Sequence, residues 1–136
     1  LTPDEVPAIM EAAIPCGIRK INVDTDIRLA VTRNMKELFY NRPELRQSPS
    51  IGPIYQLLEA NRSAFDPRVF LPPIMDTVMY GNVPDADVGA IVDCIEKGVR
   101  EVIGTLIVEF GSVGKAPLVE KVTLDEMAER YRKEGI

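Results

Sequence analysis

The run from Gly17 to Asp26 (GIRKINVDTD) reads as a buried strand, a short polar rim and the start of a helix. Ile18, Ile21 and Val23 are β-formers, interrupted by Arg19 and Lys20. Helix, strand and helix in close succession belong to an α/β protein. One strand among several helices cannot close a sheet. Its partner strands must come from upstream sequence or from another chain.

Before this run, Thr2-Pro-Asp-Glu5 has the pattern of a capping box, with Pro3 at the first helical position. Pro7 lacks an amide, so a start at Asp4 fits better, and Pro7 then falls in the first turn. Val6, Ile9, Met10 and Ala13 share a face, and Pro15 and Gly17 end the helix. After the run, Asp24 or Asp26 can cap a helix whose apolar positions are Ile27, Ala30, Val31, Met35, Leu38 and Phe39. Asn41-Arg-Pro43 closes it. Arg42 to Ser50 reads as a loop, Pro53 to Arg62 as a short helix, and Ser63 to Pro73 as irregular. From Asp87, the stripe Val88, Ile91, Val92, Ile95, Val99, Val102, Ile103 and Leu106 predicts one long helix. Gly98 and Gly104 weaken it by about 1 kcal/mol each relative to Ala, and Thr105 to Phe110 has the propensity of a strand as the alternative. Gly111 stops the helix, and Thr123-Leu-Asp-Glu126 is a capping box for a last one ending at Lys133.

Composition narrows the function. The chain has 136 residues, 46% of them apolar, enough for one domain with a core. A net charge of -5 disfavours nucleic acid as a partner, which needs a basic face. No apolar run reaches the roughly 20 residues that span a bilayer, and no secretory segment is visible, so no membrane role and a cytoplasmic home are expected. Cys16 and Cys94 are too few for a disulfide framework. Histidine is absent, so any histidine-dependent step belongs to another part of the protein. Leu1 opens almost directly into a helix, as in a piece of a longer chain.

Three short motifs can carry chemistry. At Asn22-Val-Asp-Thr-Asp26 a strand turns into a helix, and the free amides of such a start bind phosphate. Two aspartates beside a dianion are unfavourable unless their side chains cap the helix or face away. The alternative is an Asp N-cap with no ligand. A calcium loop is excluded, because Ile27 and Arg33 stand where Gly and Glu are required. An aspartyl phosphotransferase is disfavoured by Arg28, two residues past the second Asp. Gly111-Ser-Val-Gly-Lys115 is no phosphate loop: the glycines are too close, and Ala116 replaces the magnesium-binding Ser or Thr. Phe65-Asp-Pro-Arg68 lies in a proline-bounded arm, where Arg68 projects a planar cation suited to phosphate or pairs with Asp66 on the surface.

Lys20-Ile-Asn-Val-Asp-Thr-Asp-Ile-Arg-Leu-Ala30 resembles the eighth barrel strand and helix start of class II, zinc-dependent fructose-bisphosphate aldolases. Phe65-Asp-Pro-Arg68 is similar to the arm that follows in that family, and Phe110-Gly-Ser-Val-Gly-Lys-Ala116 to its C-terminal end. Arg42 to Ala64 and roughly Met75 to Lys97 are longer than in many members, and only some carry a tail after Ala116. The resemblance implies the C-terminal part of a TIM (β/α)8 barrel: residues 1–40 as the last βα unit with its preceding helix, and 41–136 as a mostly helical extension of the same domain. It implies that Asn22 orients the enediolate, and that Val23, Asp24 and Thr25 hold the phosphate of dihydroxyacetone phosphate. It also implies that Arg68 reaches a neighbouring subunit and binds the far phosphate of fructose bisphosphate. The Zn2+ ligands and the catalytic aspartate of the family lie upstream of this segment, so no catalytic or metal residue is expected within it. A monovalent cation, the rest of the aldolase chain and a dimeric or tetrameric homo-oligomer are further implied partners. The activity implied is the reversible glycolytic cleavage to dihydroxyacetone phosphate and glyceraldehyde 3-phosphate, with the segment alone inactive. Two other readings stand beside it: a tagatose-type ketose-bisphosphate aldolase, and a non-catalytic oligomerisation segment.

Overall fold

The computed structural model describes residues 5–18, 20–119 and 121–135. Six α-helices are present among them: α1 (Glu5–Ala13), α2 (Thr25–Asn41), α3 (Gly52–Ala60), α4 (Met75–Tyr80), α5 (Ala86–Glu109) and α6 (Leu124–Glu134). The proposed capping box at Thr2–Glu5 falls mostly outside the described residues, as do the Val6 and Met10 side chains. Ile9, on the face expected to be apolar, is 48% exposed. The chain leaves α1 through Cys16 and Gly17, whose amides bond Ala13 and Ile14 carbonyls at 3.1 Å.

The core forms where α2 crosses α5, with α3 and the arm packed beneath. Val31, Met35 and Phe39 of α2 meet Ile54 and Leu58 of α3, Phe70 and Leu71 of the arm, and Val88 and Ile91 of α5 in one buried cluster. The apolar period of α2 and α5 dictates this, since each presents one stripe that only the other elements can cover. Two polar ties fix the crossing. The buried Asn34 amide donates to the Ala30 carbonyl at 2.9 Å and to Glu101 at 3.2 Å. Arg33 reaches the same Glu101 carboxylate. Gly98 is also part of the crossing: a Cβ there would lie 2.7 Å from the Cα and N of Val31. The residue read as a weak point of the helix is the place where the two backbones meet.

The start of α5 is fixed by its cap. Asp85 accepts from the Val88 amide at 2.9 Å, and Ser48 donates to Asp87 at 2.6 Å. Ser50 and the Val88 amide hold the Asp85 carboxyl below its ordinary range. Residues 105–109 continue the helix, which settles the alternative of a strand there. Gly111 ends it with φ +59. The capping box of α6 forms, with the Glu126 amide 3.2 Å from the Thr123 hydroxyl and the Thr123 amide 2.7 Å from the Glu126 carboxylate.

Three expectations are corrected. The stretch 18–23 is not a strand: no strand occurs among the described residues, and Arg19 lies outside them. A strand exists only through its ladder, and the described residues offer it no second strand. The α/β expectation is not confirmed in the described residues, which form helices alone. Second, the supposed loop 42–50 contains a 3-10 helix, Pro43–Gln47, seated by buried Leu45. Third, α4 and the 3-10 turns Pro67–Val69 and Pro72–Ile74 give local order to proline-rich sequence read as irregular or left unassigned. Among the described residues no helix is long and apolar enough to cross a membrane.

Candidate functional site

The helix start after Asn22 is uncapped. Asp24 occupies the N-cap position of α2 with φ -139 and ψ -53, yet no side chain caps the helix. Its carboxylate turns sideways to Arg28, which donates from Nε at 2.8 Å. Asp26 stands in the first turn. The condition set by the sequence, that the aspartates cap or turn away, is met for Asp24 by turning away. The first-turn amides of α2 keep their donor capacity.

Asn22, Asp24 and Thr25 are exposed and Val23 is half-buried. Together with Ile21 and Asp26 they form one wall of a cleft of about 600 Å³, whose other wall is Glu101, Thr105 and Glu109 of α5. Arg33 also lines it, but its guanidinium is taken up by Glu37 and Glu101. The cleft therefore offers backbone amides, one amide side chain and two hydroxyls beside four carboxylates. An anion bound there relies on the helix amides and on neutralisation of Asp24 by Arg28.

The structure brings the arm to this corner. Arg28 donates from Nη1 to Asp66 at 2.8 Å, and Asp66 accepts from the Arg68 amide and Nε, both at 3.0 Å. Asp24, Arg28, Asp66 and Arg68 thus form a continuous chain of alternating charge. The arm is anchored by Thr32, buried in α2, whose hydroxyl donates to the Phe65 carbonyl at 2.7 Å. Arg68 itself is largely exposed and does not line the cleft. Hydrogen bonds from Arg68, with the nearby charges of Arg28 and Arg68, hold the Asp66 carboxyl far below the carboxylate range. Asp66, reinforced by Asp24, pushes the Arg68 guanidinium up.

This pairing makes a pH prediction. A depressed carboxyl stabilises the fold above its unfolded pKa of about 4, and that contribution is lost as pH falls below it. The gap in urea midpoint between the parent and Asp66→Asn is expected to be full at about pH 6 and to narrow towards about pH 3. A gap independent of pH would contradict the ion chain.

Sequence reasoning named Asn22, Val23, Asp24, Thr25 and Arg68 as candidates, and weighed the Asp66–Arg68 pair, which forms. It missed Arg28 as the bridge and Thr32 as the anchor. The spacing of four residues from Asp24 signalled half of Arg28's role; no signal marked Thr32.

The residues present do not make a metal site. The chain has no histidine, and no group of three or more His, Cys, Asp or Glu among the described residues could hold an ion. Both cysteines are free, and burial pushes the Cys94 thiol up, away from the thiolate a metal would need.

Residues 3–115 match the model of the family described as Fructose-bisphosphate aldolase class-II. The chain belongs to that family and corresponds to its C-terminal portion. Among relatives, "Fructose-bisphosphate aldolase 2" of Rhodobacter capsulatus is 27% identical over 118 residues, 87% of this chain and 68% of that protein. "Fructose-bisphosphate aldolase" of Xanthobacter flavus is 30% identical over 122 residues, 90% of this chain and 23% of that protein. "Fructose-bisphosphate aldolase 2" of Cereibacter sphaeroides is 27% identical, over 87% of this chain and 22% of that protein. The chain thus spans under a quarter of the length of the latter two relatives. No solved structure matches it.

Proposed function

We propose that this chain supplies substrate phosphate binding to a class II fructose-bisphosphate aldolase, a carbon–carbon lyase of glycolysis and gluconeogenesis. The uncapped start of α2 carries the proposal, because free helix-start amides suit an anion and this start lies inside the segment the family model matches. Residues 1–40 act as the last βα unit of the family's barrel, and 41–136 as its helical extension. Stretch 18–23 becomes a strand once the rest of the enzyme supplies a ladder.

In this reading Asn22 orients the enediolate of dihydroxyacetone phosphate. The Val23, Asp24 and Thr25 backbone, with the Thr25 hydroxyl, holds its phosphate. Arg68 binds the second phosphate in a neighbouring subunit, and its exposure outside its own chain's cleft supports that direction. Arg28 holds Asp66, and Asp66 in turn pairs with the Arg68 guanidinium. Holding both ends of the bisphosphate fixes the reacting carbon bond, which is a contribution of positioning rather than of acid–base chemistry. No group among the described residues could hold the family's zinc, and its ligands are assigned to other parts of the enzyme. Exposed Ile103, Ile107 and Val108 along α5 support assembly into a homo-oligomer.

The test is cleavage of fructose and tagatose bisphosphates by the complete zinc-loaded protein and by this chain alone. Preferential cleavage of the fructose ester by the complete protein, with none by the isolated chain, is expected. Activity in the isolated chain would overturn the division of labour, and preference for the tagatose ester would overturn the substrate.

A further inference from the structure

Against the C-terminal half of α2 lies a second concavity of about 350 Å³, built from three elements. Lys36 and Tyr40 come from α2, Arg46 from the 3-10 helix, Tyr55 and Glu59 from α3, and Arg62 from the turn after it. Three cations here face one carboxylate, in a chain whose net charge is -5. Glu59 and Arg62 are ion-paired with each other, which leaves Lys36 and Arg46 as the excess charge. Lys36 and Arg46 have no carboxylate partner among the described residues.

Arg46 is held ready. Its Nε donates to the Phe39 carbonyl at 3.0 Å, and its plane covers the Tyr55 ring at 5.2 Å. Tyr55 is itself backed by Phe39, 5.4 Å between centroids. The terminal guanidinium nitrogens are left for an external acceptor. Lys36 donates to the Arg62 backbone carbonyl at 3.2 Å, which ties its ammonium to the turn after α3. Tyr40 stands 80% exposed at the rim, an aromatic face with nothing stacked on it.

We propose that this concavity binds a nucleoside monophosphate, the phosphate between Lys36 and Arg46, beside the Arg62–Glu59 pair, and the base against Tyr40. The cations call for a compact anion. The exposed ring calls for a flat partner. The volume, at the low end of the roughly 300–1,000 Å³ of small-molecule pockets, fits one phosphate and one base better than a triphosphate. None of these residues belongs to the Asn22–Arg68 system, so the site stands whether or not the proposed aldolase role does.

Calorimetric titration of the complete protein with adenosine monophosphate, adenosine and inorganic phosphate tests it. Saturable binding of the monophosphate is expected, at least about tenfold tighter than either adenosine or phosphate alone. Lys36→Ala, at an exposed side chain, should weaken it by about tenfold, and Tyr40→Ala by several-fold. Thr25→Ala and Arg68→Ala should leave it unchanged. No saturable binding, equal affinity for adenosine, or loss with Thr25→Ala but not Lys36→Ala would overturn the proposal.

Discussion

Replacing Arg68 with alanine in the complete enzyme should lower kcat/KM for fructose bisphosphate cleavage about ten- to a hundredfold, while proton exchange on dihydroxyacetone phosphate changes by less than about twofold. The asymmetry follows from the number of phosphates. A charge-assisted contact to phosphate contributes about 1.5–3 kcal/mol, and dihydroxyacetone phosphate lacks the second phosphate that Arg68 would meet. Because the side chain is 68% exposed, its loss should not unfold the protein. Arg68→Lys keeps the charge but loses the planar fork, so it should fall between the two. Removing Asp66 or Arg28 should produce a smaller loss of the same kind, since these residues orient the arginine through contacts at 3.0 and 2.8 Å. Equal losses in both assays would contradict the far-phosphate role.

Gly98→Ala is expected to destabilise the fold by about 2–3 kcal/mol, lowering Tm by roughly 10 °C. The added Cβ would sit 2.7 Å from Val31 Cα and N and 2.9 Å from Ala30 C. These are backbone atoms inside a helix, so nothing flexible can yield. The helices must separate, and separation loosens Met35, Phe39 and Ile91, all fully buried at the same seam. Gly104→Ala on the same helix is the control. It meets nothing within 4 Å, so only helix propensity acts, and up to about 1 kcal/mol of stabilisation is expected. Thermal melts of the two variants should therefore move in opposite directions. A neutral Gly98→Ala would mean that α2 and α5 do not touch where described.

Gly98 also shows what the sequence could convey. Its cost to the helix was legible from propensity; its purpose required knowing which helix lies across it. The stripes of α2 and α5 were readable because a helix announces its buried face by its own period. The stretch 18–23 was read from β-propensity, but a strand depends on its neighbours, and the described residues supply none. The 3-10 helix at Pro43–Gln47 was missed because it is too short for a period to show. At the site, Asp66–Arg68 was visible because the pair is local. The extension of that pair to Arg28 and Asp24 depends on Thr32 docking the arm, 33 residues away in sequence.

The central claim is that the start of α2 grips a phosphate. A crystal structure of the complete enzyme with dihydroxyacetone phosphate tests it most directly. The phosphate should lie within about 3 Å of the Val23–Thr25 amides and the Thr25 hydroxyl. A phosphate bound elsewhere, with those amides facing only water, would contradict the account.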